Sequence, residues 1–361
     1  DALGPDVFFL TVSVMGPNYG IVDGDRIELD TMPAWDGEDV GEFGDLSEFG
    51  NYGIKPSVRT IERRYFLHQR IWVNHPDLIF FRAHADPQYP PLTLDESKAL
   101  CQVVAYAGGI VKLGEKLVEM SADAIAATRT ILPIYGASGR PIDLFRREFA
   151  EVWSLAVPGF PEPYHTLGLF NWGLNRDLTT TPFRDMDDVD REIHFDFAEA
   201  GLDTEAHYLA YEFWGERFLG DFTGSMTIEV PAHSALSVAL REKLGRPQFL
   251  GTNRHVLGGV KVIDRIDWDE EAGTLSGTQE GSTGTAFTPF SFHLAFYVPD
   301  GYDFEAVAFD LPEGTAVSGV ETELEAVAGA QVLHLRFTVE DTDGEQLAEQ
   351  FEAIGWILSF L

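Results

Sequence analysis

The stretch GIVDGDRIELDTMPAW, Gly20–Trp35, decides how the first part of this chain is read. Arg26–Leu29 reads as a short strand ending at Asp30, and Trp35 follows five residues later. Working outward, Val7–Val14 (VFFLTVSV) is a continuous apolar run and reads as a buried strand. Ser57–Ile71 places Ile61, Tyr65, Phe66, Leu67 and Ile71 at helical spacing, with Ser57 as a cap after Pro56. Leu78–Ala83 (LIFFRA) reads as a third strand, and Asp95–Tyr106 as a helix stopped by Gly108-Gly109. Ile110–Leu113 reads as a fourth strand. Ser121–Leu132 is a helix with Ser121 as N-cap and Pro133 as stop. Buried strands alternating with helices make parallel βα units. Four units are half of a (β/α)8 barrel, which takes ~250 residues in full. A half barrel leaves two unpaired edges, so a partner chain or a missing N-terminal segment is expected to complete it.

From Phe160 onward the period changes to two. Tyr164–Trp172, Ile193–Phe197 and Ser225–Val230 alternate, and Ser234–Leu240, Val260–Ile266, Phe290–Tyr297, Gln331–Val339 and Gly355–Phe360 are further strand candidates. Gly258-Gly259 and Asp300-Gly301 mark turns. Many short strands so spaced predict an antiparallel β-sandwich. The expected fold class is therefore α/β plus all-β: residues 1–145 as the C-terminal half of a barrel, residues 146–361 as a sandwich, with the junction in Arg140–Pro163.

Composition narrows the function classes. The chain has 361 residues and 45% hydrophobic content, enough for two packed domains. Its net charge is −34, with 59 acidic against 25 basic residues. Such a field repels phosphate backbones and anionic lipid, so neither nucleic acid nor a membrane surface is an expected partner. An acidic, Lys-poor surface is what a protein of a high-salt cell shows, where screening keeps self-repulsion small. Cys101 is the single cysteine; its apolar run LCQVVAYAGGIV makes it a core residue rather than a nucleophile. One cysteine and no visible signal-peptide n-region lean toward a cytoplasmic setting, and the start within DALGPDVFFL reads as that of a fragment.

Chemistry is expected where barrel strands end, because the C-terminal ends of all strands converge on one mouth. Asp30 stands at such an end. Bulky Trp35 nearby would partly desolvate it and suit it to donate a proton. The plainer alternative is a loop Asp capping the next segment. Arg26 offers five N–H donors to sugar hydroxyls or carboxylates; alternatively it pairs at the surface with Asp23 or Glu28. Trp72-Val-Asn-His-Pro-Asp77-Leu supplies a second carboxylate, Asp77, which a Pro-containing turn before the third strand also explains.

Together, Arg26-x-x-x-Asp30-x-x-x-x-Trp35 and Asn74-His-Pro-Asp77 resemble the second half of the catalytic barrel in clan-D glycoside hydrolases, the α-galactosidases and relatives of families 27 and 36. Further segments, His207–Trp214, Phe218–Gly220, Pro231–Ser234 and Gly245–His255, resemble the C-terminal β-domain of bacterial members. The resemblance implies a retaining hydrolase of terminal α-linked sugars, most often α-galactose. It makes Asp30 the acid/base, places Arg26 and Asp77 at the sugar pocket, and leaves Trp35 to stack on a sugar or close the barrel mouth. No cofactor or metal is implied. The family usually shows Asn-Asp-Pro-Asp, so His75 is a departure. The family nucleophile lies in a Lys-x-Asp strand motif; Lys55, Lys112 and Lys116 are each followed by something else. The chain alone is therefore expected to be inactive, the alternative being a non-catalytic carbohydrate-binding or assembly chain of a split enzyme.

Other constellations are weak. No Gly-rich phosphate loop or G-x-S-x-G occurs. His84, Asp86 and His165 are scattered. Asp185, Asp187, Asp188 and Asp190 lack EF-hand spacing and read as a solvated run. The acidic, Gly-rich loop Asp36–Gly53 reads as a surface insertion or a lid.

Overall fold

A computed structural model describes residues 6–12, 18–28, 30–39, 51–83, 85–280, 291–341 and 353–361. Leu29, His84 and the central part of the acidic loop, residues 40–50, fall outside this set. The chain forms two compact units. The first takes residues 1–155, 167–195 and 227–236, and the second takes residues 156–166, 196–226 and 237–361. The sequence suggested one cut near residue 145. The chain instead passes between the units several times, because long strands such as Tyr164–Asn171 and Ser234–Glu242 contribute residues to both.

The first unit holds a small parallel sheet, β1 (Leu10–Val12), β2 (Gly24–Arg26) and β3 (Val73–His75), in that order. Beyond β3 the ladder continues sparsely: Ile110 donates to the Asn74 carbonyl at 2.9 Å, and Ile79 bridges Leu113 in parallel. The order of the four expected strands is thus present. Their extents differ. No closed barrel forms among the described residues, and no helix is described between β1 and β2. The third strand lies at Val73–His75 instead of Leu78–Ala83, which is reduced to the bridge at Ile79. β1 is the end strand of its sheet, so Val7, Phe8, Leu10 and Val12 are 40–56% exposed instead of buried.

The helices follow their caps. α1 (Ile54–Arg64) starts earlier than Ser57 because Pro56 sits in its first turn, where no N–H is required. It buries Ile54, Val58 and Ile61 on one side and passes into a tight turn at Tyr65. α2 (Leu94–Ala107) opens on a capping box: Thr93 accepts the Glu96 N–H at 3.1 Å and Glu96 Oε2 accepts the Thr93 N–H at 2.8 Å. It closes at Gly108 with φ 74°, where a side chain would strike the Ala137 carbonyl. The other Glu96 oxygen meets His233 Nδ1 at 2.8 Å, and Gln102 donates to the Leu236 carbonyl at 2.8 Å. α3 (Ala122–Arg129) is capped by Ser121, which accepts the Ala124 N–H.

The second unit contains two antiparallel four-stranded sheets. One runs Gln248–Thr252, Ser291–Val298, Ala330–Asp341, Thr315–Val327; the other runs Ile263–Asp269, Thr274–Glu280, Ala353–Phe360, Phe304–Asp310. They pack face to face through aromatic rings. Phe296 meets Trp356 at 5.0 Å between centroids, and Phe309 meets Phe337 at 4.9 Å. This is the sandwich that the later period-two segments, from Val260–Ile266 onward, predict; Tyr164–Asn171, Arg191–Asp196, Ser225–Val230 and Ser234–Glu242 lie in neither of its sheets.

Candidate active site

The parallel sheet brings three of the four expected site residues together. Arg26 ends β2, and Asp77 lies just past the end of the neighbouring β3. Parallel neighbours end on the same side, so the two side chains converge. The Arg26 guanidinium lies 2.7 Å from Asp30 and 3.5 Å from Asp77. Asp77 therefore follows its strand instead of preceding it, the position a strand-end carboxylate requires. Its backbone is left-handed, φ 53°, uncommon for a non-glycine residue.

His75 explains that turn. It is buried, and its Nδ1 accepts the Asp77 N–H at 2.8 Å. An Asp or Asn side chain makes the same contact in an Asx-turn. His75 supplies the acceptor without the charge, and burial lowers its pKa, favouring the neutral ring. Asn74 is structural. It accepts from the Trp72 indole, donates to the Arg64 carbonyl, and receives Ile110 on its own carbonyl.

The two carboxylates beside Arg26 differ. The Asp77 side chain is 6% exposed and its Oδ2 accepts the Thr31 N–H at 2.9 Å. The Asp30 side chain is 53% exposed, so the desolvation expected of it is absent; it is open to solvent and to a ligand. Trp35 stands elsewhere. It is 5% exposed, stacked on Trp172 at 5.7 Å and on His233 at 5.0 Å. Asp36, next to it, is held by Lys55 at 2.8 Å.

Glu28 is the residue that sequence reasoning placed wrongly. Considered only as a surface partner for Arg26, it is 1% exposed. Burial, reinforced by Asp77, pushes its carboxyl well above the usual range, against the weaker pull of Ser57, Arg26 and Thr31. The signal was available: Arg26, Glu28 and Asp30 alternate, so a strand-like path turns all three to one side.

Other buried polar groups lie outside this cluster. In the first unit Glu62 on α1 accepts the Ala150 N–H at 2.7 Å, and burial raises its carboxyl well above normal. Asp143 accepts the Glu151 and Val152 N–H groups at 3.0 and 3.1 Å, and burial pushes it up to about 6. His233, between Glu96 and Asp188, packs on Trp35. In the second unit His293 and His334 stack at 5.1 Å and share a hydrogen bond of 2.9 Å, flanked by Glu216 and Glu325. Among the described residues no cluster of three or more His, Cys, Asp or Glu could hold a metal ion. Asp185, Asp188 and Asp190 are engaged separately with Arg176, His233 and the Ala232 N–H.

No family model matches the sequence. In three dimensions the chain is similar to α-galactosidase I from Mortierella vinacea, at 12% identity and a TM-score of 0.49 over 64% of this chain and 58% of that one. It is similar to an α-galactosidase from Saccharomyces cerevisiae, solved with raffinose, at 13% identity and 0.46 over 62% and 60%. A GH27 β-L-arabinopyranosidase from Geobacillus stearothermophilus gives 12% and 0.42 over 62% and 46%. The chain thus spans less than two thirds of the length of each.

Proposed function

We propose that this chain carries the acid/base side of a retaining glycoside hydrolase site for terminal α-linked sugars, α-galactosides first among them. One observation carries the reading: a strand-end arginine held between two carboxylates that follow the strand ends, Asp30 open to solvent and Asp77 buried. Asp30 protonates the departing glycosidic oxygen and then takes a proton from water. Arg26 fixes the direction of its carboxylate. Asp77, anchored by the Thr31 N–H, keeps Arg26 in place and is the second group available to sugar hydroxyls. Retention needs a second carboxyl ~5–5.5 Å away, and the Lys-x-Asp motif that would supply it does not occur in this sequence. The isolated chain is therefore expected to show no or trace turnover. The test is hydrolysis of an aryl α-galactoside by the chain alone and with a chain carrying the Lys-x-Asp strand. Turnover only in the mixture, lost in Asp30→Asn, supports the reading; turnover by the chain alone, lost in the same variant, sinks the claim of dependence.

A second reading is a non-catalytic assembly or carbohydrate-binding chain. The exposed apolar side chains of β1 favour it. Co-elution with the partner and sugar binding without cleavage would distinguish it.

A further inference from the structure

We propose that His75 is the positioning residue of the Arg26–Asp77 pair, a neutral imidazole that holds the turn after β3 in shape and releases Asp77 when it takes up a proton. Its meaning for catalysis rests on the reading of Arg26, Asp30 and Asp77 given above. A backbone N–H can only donate, so a ring nitrogen that receives one carries no hydrogen. His75 Nδ1 receives the Asp77 N–H at 2.8 Å, which leaves the hydrogen of the neutral ring on Nε2. His68 repeats the arrangement at the start of the same segment. Its Nδ1 receives the Asn74 N–H at 3.2 Å, and its Nε2 lies 2.9 Å from the Gly136 carbonyl, which places the hydrogen there. Pro76 has no N–H to offer. The segment Asn74–Asp77 therefore hangs on two imidazoles, one at each end, and both must be uncharged to accept.

Asp77 depends on that support. Its φ of 53° is left-handed, and a non-glycine residue stays there only while its surroundings hold it. The His75 contact fixes the Asp77 backbone. The side chain so aimed takes the Thr31 N–H on Oδ2 at 2.9 Å and stands 3.5 Å from the Arg26 guanidinium through Oδ1. Protonated His75 carries hydrogens on both ring nitrogens. Nδ1 then meets the Asp77 N–H hydrogen to hydrogen, the turn opens, and Arg26 and Thr31 lose the carboxylate. The charged groups facing His75 are Arg26 from β2, Asp77 beyond the end of β3 and Lys112 from the Ile110–Leu113 segment. His75 is 2% exposed, and burial is the largest influence on it, lowering its pKa against the opposing pull of Asp77. Burial lowers His68 in the same way. Both rings thus stay neutral until the acid side of the ordinary histidine range. An Asn side chain at this position accepts the same N–H through oxygen and has no proton to take.

The experiment follows histidine-ring and backbone-amide 15N signals of the full chain against pH, with the His75 ring assigned by its loss in His75→Asn. At neutral pH His75 should show a bare Nδ1 and a hydrogen on Nε2. As pH falls, protonation of that ring and a shift of the Asp77 and Thr31 amides should coincide. In His75→Asn the two amides should keep their neutral-pH positions and the coincident step should vanish. In His75→Ala, which has no acceptor, they should be displaced at every pH. A hydrogen on His75 Nδ1 at neutral pH overturns the proposal. So does a Thr31 amide indifferent to the His75 step, or a step that persists in His75→Asn and so belongs to His68. Should the chain unfold before His75 is protonated, the neutral-pH spectra decide: Asp77 and Thr31 amides displaced in His75→Asn overturn the proposal, and unmoved ones uphold it. If His75→Ala fails to fold, the wild-type and Asn spectra suffice. No sugar enters these measurements, so the two readings fail separately. Spectra as expected with no turnover in the mixture described above would sink the hydrolase reading alone; turnover with a Thr31 amide indifferent to His75 would sink the positioning role alone.

Discussion

Arg26 in the first unit and Arg241 in the second are both withdrawn from water, and they are held by opposite means. Arg26 is shared by two carboxylates, one of them half in solvent. Arg241 is 1% exposed and lies over three rings, Tyr164 at 4.0 Å, Phe160 at 4.7 Å and Phe249 at 4.8 Å. It donates to the Leu250 and Gly258 carbonyls at 3.0 and 2.8 Å. Ring faces and carbonyls do not titrate, so the Arg241 site is permanent scaffolding. At the Arg26 site one of the partners, Asp30, stands in solvent and can be approached from outside. The contrast separates an arginine sealed within the fold from one shared with a solvent-exposed carboxylate.

The largest expected effect tests the scaffolding side. Arg241→Ala removes the ring contacts and strands two buried carbonyls, at a cost of about 4 kcal/mol in urea unfolding. A loss below about 1 kcal/mol would mean that the cage contributes little. Next comes the titrating side. Asp143 is raised to about 6 in the folded chain from 3.8. Its contribution is complete below the unfolded value and is lost as pH rises through about 6, a difference on the order of 3 kcal/mol. Unfolding curves across that window should show a slope that flattens in Asp143→Asn; an unchanged slope would remove Asp143 as its source.

Burial acts on the second unit with the opposite sign. His334 has its pKa lowered from 6.5, chiefly by desolvation. The stability it contributes is present above that value and is lost as pH falls below it. His334→Gln should erase this acid-side loss in the same unfolding series. Smallest of all is Asp30→Asn, expected to change stability by at most about 0.5 kcal/mol because Asp30 is largely exposed. A large destabilisation there would recast Asp30 as scaffolding and erase the contrast with Arg241.

How far the sequence was legible follows from how local each determinant is. α2 was readable because its Gly108-Gly109 stop, and α3 because its Ser121 cap, act within one turn. The period-two strands were readable because alternation repeats over many residues. Ser225–Val230 agrees at both ends. The third parallel strand was misplaced because LIFFRA is the more apolar run, while ladder hydrogen bonds selected Val73–His75. Arg26, Asp30 and Asp77 were named from motif spacing, but the convergence depends on strand register. Trp35 could not be assigned because its ring partners Trp172 and His233 lie far along the chain. Arg241 ends the largely apolar run Ser234–Leu240, which does not reveal its ring cage.

Glu96 has a consequence for biosynthesis. One of its oxygens caps α2, and the other waits for a residue 137 positions later. Gln102, two turns on, waits for Leu236 at a separation of 134. A growing chain that has not reached that region can coil α2 but cannot seat it. The first unit therefore cannot lock until residues 156–166 and 196–226 of the second have been made, though it can do so before residues 237–361 follow. Much of the second unit's early sequence, residues 196–226, is made before the first unit can lock. During that interval α2 has its neighbours α1 and α3 but leaves Glu96 and Gln102 without the partners that residues 233 and 236 supply.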